Sequence, residues 1–192
     1  MSFPRIVKAA LELQSLVREL DVPFCFIGGV AVQRWSEPRF TQDADATVLT
    51  RFVDDERVVD GLLARLVSRR EDGREFALRA RVLLVKATNG VNLDVARGAL
   101  DFEERAISRA SDWEIGTGQV IRTCSAEDLV VHKTFASRDI DWRDVDGVLM
   151  RHGRKLNVRQ ILDELRPLVE LKEDATILPR LEALMRKRDV ID

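Results

Sequence analysis

The sequence predicts a mixed α/β (α+β) fold built on a mixed sheet and followed by a helical C-terminal extension. Three observations predict it. Short apolar runs bounded by glycine or proline alternate with amphipathic stretches up to about residue 124. An Asn89-Gly90 pair between two apolar runs marks a hairpin, so part of the sheet is antiparallel. Beyond Asp141 the chain reads as helices, broken near Gly153 and after Leu171.

Taken in order, Ile6, Ala9, Ala10, Leu13, Val17 and Leu20 recur at helical spacing, so the opening segment is an amphipathic helix. Pro23 introduces Phe24-Cys25-Phe26-Ile27, a run short enough for a buried strand, and Gly28-Gly29 ends it. A second helix begins over Val30 to Trp35. After Pro38, Asp43-Ala44-Asp45-Ala46-Thr47-Val48-Leu49 alternates acids with small or apolar residues, as a strand does. Val58, Leu62 and Leu66 stripe a helix from Asp54 to Leu66. The runs 82–87 and 91–96 form the Asn-Gly hairpin, and a second hairpin turns through Gly116-Thr117-Gly118. Ser125, with Glu127 and Asp128 behind it, has the character of an N-cap for a helix reaching Ser137. The expected division is a core domain over 1–124 and a helical region over 125–192 packed on it.

Composition narrows the function classes. The chain has 192 residues, 45% hydrophobic and 33% charged, which suits a globular protein with a real core. A net charge of −2 excludes a globally basic nucleic-acid binder. The cations from Arg65 to Lys86 outnumber their acidic neighbours, which makes a local phosphate-binding patch conceivable beside the plainer reading of a solvated helix face. The N-terminus has no signal-like apolar stretch and no segment approaches membrane-spanning length. Cys25 and Cys124, the two cysteines, are expected as buried thiols, and the expected location is the cytoplasm.

The residues that carry chemistry are acids. Asp43 and Asp45 are two apart on a strand and share one face, where two carboxylates repel unless a cation lies between them. A hard divalent cation such as Mg²⁺, or Mn²⁺, meets that need and can also hold phosphates. Gly28-Gly29 stands between strand and helix, where backbone N–H groups can approach a phosphate. Asp94 lies in an otherwise apolar strand, Val91-Asn92-Leu93-Asp94-Val95, and an acid there needs a partner. That partner is either a metal shared with Asp43 and Asp45 or a structural arginine such as Arg97.

In this order, Gly28-Gly29, Arg39-Phe40-Thr41-Gln42-Asp43-Ala44-Asp45, Leu93-Asp94-Val95, Lys133 and the later run Arg138 to Asp144 resemble the polymerase-β-type nucleotidyltransferase superfamily. More narrowly, the chain resembles the AbiEii/AbiGii-type toxins of bacterial abortive-infection and toxin–antitoxin systems. The resemblance implies a nucleotidyltransferase fold and transfer of a nucleoside monophosphate from an NTP to an acceptor. It implies Asp43, Asp45 and Asp94 as metal ligands, with Asp94 as ligand or base. It further implies Gly28 and Gly29 as the triphosphate cradle, Arg39 and Thr41 at its flank, and Lys133 as the neutralising charge. Asp141 or Asp144 would support Lys133 or approach the nucleotide, Asp141 being preferred. RNA, tRNA in particular, is the expected acceptor, and a cognate antitoxin an expected partner. A small molecule or protein acceptor is the rival reading, and a non-catalytic binding module of the same fold the rival from another class.

Overall fold

The computed structural model describes residues 4–50, 54–116 and 118–192. Met1 to Phe3 of the N-terminal reading and Thr117 of the second hairpin lie outside the described residues.

The chain divides into two compact units, one of residues 1–30 and 40–124, the other of 31–39 and 125–192. The first unit holds a seven-stranded sheet of strands β1 (Phe24–Phe26), β2 (Asp43–Leu49), β3 (Val67–Ser68), β4 (Val82–Lys86), β5 (Asn92–Gly98), β6 (Ser111–Glu114) and β7 (Val120–Thr123), in the order β3-β4-β5-β2-β1-β7-β6. β2 runs parallel to β5 and β1 parallel to β7, while the other neighbours are antiparallel, so the sheet is mixed as predicted. Helices α1 (Arg5–Glu19), α3 (Asp55–Leu63), α4 (Gly73–Ala80) and α5 (Asp101–Arg109) belong to the same unit. α1 buries Ala9, Ala10, Leu13, Leu16 and Val17 in one core with Phe26, Val48, Leu62, Leu83 and Leu93. β2 explains its own register. Ala44, Ala46 and Val48 face that core, which leaves Asp43 and Asp45 together on the partly exposed face.

Three details depart from the expected elements. The second helix, α2 (Gly28–Trp35), starts at the glycines themselves rather than after them. The cationic stretch behind α3 is not a single helical face but β3 followed by α4, and α4 ends on Arg81 in a left-handed conformation at φ 57°. α5 was not anticipated. Its buried side is only Phe102, Ala106 and Ile107 among charged neighbours.

The second unit is helical: α6 (Ala126–Ala136), α7 (Asp139–His152), a short 3-10 turn at Gly153–Lys155, α8 (Val158–Lys172) and α9 (Ile177–Lys187). Ser125 caps α6, its side chain accepting from the Asp128 N–H. α6 packs against α7, α8 and α9, with Leu129, Val145, Leu149, Ile161, Leu165 and Leu181 fully buried. Residues 31–39 join this unit through contacts with α7. The Arg151 guanidinium donates to the Ser36 carbonyl at 2.8 Å, and a Cβ at Gly147 would meet Ser36 Oγ at 2.1 Å. Cys25 and Cys124 are both buried. No helix among the described residues is long and apolar enough to cross a membrane.

Candidate active site

The acids of the first unit are assembled by strand register. In the parallel pair β2·β5, Asp43 stands opposite Asn92 and Asp45 opposite Asp94. Register partners in a sheet project to the same side, so Asp43, Asp45 and Asp94 occupy one face of two adjacent strands. Asn92 Nδ2 donates to Asp43 Oδ1 at 2.9 Å and steadies that carboxylate.

The glycine turn fits against this group. Gly28 has φ 54°, a left-handed conformation, and a Cβ there would stand 2.0 Å from Asp45 Oδ2. The Gly29 N–H points to the same oxygen at 3.4 Å. A Cβ at Gly29 would strike Thr41, whose Oγ1 would lie 2.2 Å away. Thr41 Oγ1 in turn donates to the Asp43 carbonyl at 3.1 Å. The missing side chains therefore let the start of α2 lie directly on Asp45 and Thr41.

Asp94 does not stand with Asp43 and Asp45 alone. Arg69 Nη2 donates to Asp94 Oδ1 at 2.6 Å. The structural arginine beside Asp94 is thus Arg69 and not Arg97, which instead pairs with Asp55 at 2.7 Å. Burial pushes the Asp94 carboxyl up; Arg69 opposes this, nearby Asp43 adds to it, and the result lies above the ordinary aspartate range. Among the described residues no three acidic, histidine or cysteine side chains form a group set to hold a metal ion.

The second unit contains a connected ion network. Lys133 Nζ, on α6, lies 2.9 Å from Asp141 Oδ1 and 2.8 Å from Asp144 Oδ2, both on α7. Arg138 clasps Asp141 through its backbone N–H at 3.2 Å and Nε at 2.6 Å. Arg39 holds Asp144 bidentately, with Nε at 2.7 Å and Nη2 at 2.8 Å. Burial pushes both carboxyls up, but these cations outweigh it and hold Asp141 and Asp144 below the ordinary range. Both of the acids between which the sequence left a choice contact Lys133.

Most of the cations from Arg65 to Lys86 have ionic partners within the first unit. Arg70 pairs with Asp72, Arg74 with Glu56 and Asp60, and Arg81 with Asp55. These pairs neutralise most of the positive excess that the bare sequence displays.

A model of the family described as nucleotidyl transferase AbiEii toxin of type IV toxin–antitoxin systems matches residues 13–163. The chain belongs to the AbiEii nucleotidyltransferase toxin family. The match takes in the glycine turn, the three strand acids and the Lys133 network of this AbiEii-family chain. No curated protein matches the sequence. Among solved structures, an antigenic nucleotidyltransferase-like protein from Paracoccidioides brasiliensis is 16% identical over 94% of this chain and 91% of its own, with a TM-score of 0.52. The lincosamide antibiotic adenylyltransferase LnuA, solved with lincomycin bound, is 14% identical over 73% of this chain and 94% of its own, at TM-score 0.48. JHP933 from Helicobacter pylori is 16% identical over 98% and 91%, at TM-score 0.43. The first likeness establishes a shared nucleotidyltransferase-like fold and nothing finer.

Two residues beside the acids escaped the sequence reading. Asn92 was findable, because it lies two before Asp94 and so shares its face. Arg69 had no local signal, since its partner is 25 residues away.

Proposed function

We propose that this AbiEii-family chain is a Mg²⁺-dependent enzyme that moves a nucleoside monophosphate from an NTP onto a hydroxyl of RNA, with tRNA the first candidate. The observation that carries the reading is the register of β2 and β5, which sets Asp45 beside Asp94 on the face that also bears Asp43, under the Gly28-Gly29 turn.

The donor set suits a hard cation. It is all oxygen, it gathers three carboxylates on one face, and burial with nearby Asp43 raises the Asp94 carboxyl. Asp43, Asp45 and Asp94 would hold the metal, whose chemistry is to draw charge from the triphosphate oxygens and favour departure of pyrophosphate. The Gly28-Gly29 backbone would lie against the triphosphate, with no side chain to hold it off. Thr41 fixes the Asp43 backbone. Lys133 has three N–H donors, of which Asp141 and Asp144 take two; the third would go to a phosphate oxygen. Arg39 holds Asp144 in place for that purpose. In the transfer itself the acceptor oxygen forms a bond to the α-phosphorus, the bond to the β-phosphate oxygen breaks, and pyrophosphate leaves. The acceptor proton passes to Asp94 where that residue serves as base. A cognate antitoxin would counteract the product of this reaction in the cell.

The test is incubation of the full chain with Mg²⁺, each α-labelled NTP and total RNA, with a small-molecule pool and a protein extract as rival acceptors. Label in RNA that vanishes with EDTA and with Asp45→Asn is the expected result. Label appearing only in protein or small molecules overturns the RNA acceptor, and no transfer to any acceptor overturns the enzymatic reading.

A further inference from the structure

We propose that Arg69 is a resident cation of the carboxylate site, a positioning residue that holds Asp94 and competes with the divalent metal for it. The inference rests on the metal-site reading above and deepens it.

Backbone geometry explains how Arg69 reaches the acids. It follows β3 directly, and its N–H donates to the Leu84 carbonyl at 3.0 Å. Leu84 on β4 is the register partner of Asp94 on β5, so Arg69, Leu84 and Asp94 stand in line across the sheet. The arginine side chain then needs only to extend along that line. Its Nη2 meets Asp94 Oδ1 at 2.6 Å, with both side chains partly covered. The face that carries three acids thereby gains one positive charge.

The manner of this contact separates it from the two-bond arginine bridges of the chain. Arg39 grips Asp144 with two parallel N–H bonds. Arg70 does the same with Asp72, and Arg74 divides its donors between Asp60 and Glu56. Arg69 makes a single side-chain bond, and its Nε is buried with no hydrogen-bond partner. A buried donor without a partner carries an unrecovered desolvation cost. Arg69 is therefore held less completely than Arg39 or Arg70, and losing Asp94 costs it one bond rather than two. A divalent cation on Asp94 Oδ1 would displace that bond, and one on Oδ2 would meet the repulsion of the guanidinium beside it. Arg69 holds Asp94 aimed before the metal arrives, and its charge makes the bare acids a poor trap for free cations. A cation delivered with triphosphate brings extra ligands of its own and prevails.

The experiment measures Mn²⁺ binding to the full chain without nucleotide, by the electron paramagnetic resonance signal of free Mn²⁺. Arg69→Gln should tighten binding on the order of tenfold, the worth of one charge-assisted hydrogen bond, while Arg69→Lys stays close to the wild type. Asp45→Asn should weaken binding in the wild-type and Arg69→Gln backgrounds alike. Unchanged or weaker Mn²⁺ binding in folded Arg69→Gln overturns the proposal and leaves Arg69 as a structural bridge. Should that variant fail to fold, the wild-type Arg69 Nε–H resonance is followed during Mg²⁺ titration. A shift that saturates with Mg²⁺ supports displacement, and a resonance that does not move overturns it. Asp45-dependent transfer that persists beside a failed Mn²⁺ result removes only the role of Arg69, whereas absent transfer removes the function proposed above.

Discussion

At Gly28 a single missing side chain does two things. The left-handed φ of 54° is readily adopted only without a Cβ, and the space a Cβ would fill is already taken by Asp45 Oδ2. Gly28→Ala should lose about 1–2 kcal/mol to backbone strain alone. It should lose far more in function, because Asp45 must swing from its place beside Asp94. The expected outcome is a folded protein, modestly lower in Tm, with transfer activity near background. Full activity in a folded Gly28→Ala chain would show that the turn does not set the position of Asp45. Neighbouring Gly29 makes the same point with Thr41 instead of the acid. These roles were only half legible beforehand. The glycine pair announced a turn, but no sequence pattern says that Thr41 and Asp45 would be what presses on it.

Across elements, the tie between α6 and α7 is unusual in being ionic and buried. Asp141 is fully buried, Asp144 is 3% exposed and Lys133 6% exposed. Removing one partner from such a network leaves charges without compensation. Lys133→Met keeps the apolar stem and should destabilise the second unit by about 3 kcal/mol, the low end for breaking a buried pair, because Arg138 and Arg39 stay on the acids. Lys133→Arg should not restore function, since a planar fork cannot sit between two carboxylates and still offer a compact third donor. NTP affinity by filter binding and Tm by calorimetry check both statements. A Lys133→Met chain with wild-type NTP affinity would assign the residue to structure alone. How well elements could be read beforehand follows the range of their signals. The β4–β5 hairpin was legible because Asn89-Gly90 is local, and α6 because Ser125 caps it three residues ahead of Asp128. α5 was not, because its three buried residues lie among six others that carry little apolar pattern. The Arg39–Asp144 bridge spans 105 residues, and no local rule reaches that far.

For the molecule as a whole, the two units carry acids of opposite character. In the second unit Asp141 and Asp144 are held below the ordinary range. A depressed native value stabilises the fold fully above the unfolded value of about 4, and the contribution is lost as pH falls through the native value. In the first unit the Asp94 carboxyl is raised by burial, so its ionisation opposes folding and that cost is relieved as pH falls. Hydrogen exchange followed by mass spectrometry below about pH 4 should therefore find α7 losing protection before β2 and β5 do. Earlier opening of β2 and β5 would reverse the assignment.

The pairing of Asp45 with Asp94 joins residues 49 positions apart, through parallel strands that no tight turn can connect. Its consequence concerns the ribosome. A chain released or stalled before β5 has the glycine turn and the first two acids but not the third, and long-range parallel pairing is slow to form. Under the proposed function no fragment along the way is active: transfer begins only when a polypeptide long enough to close β5 against β2 has left the exit tunnel.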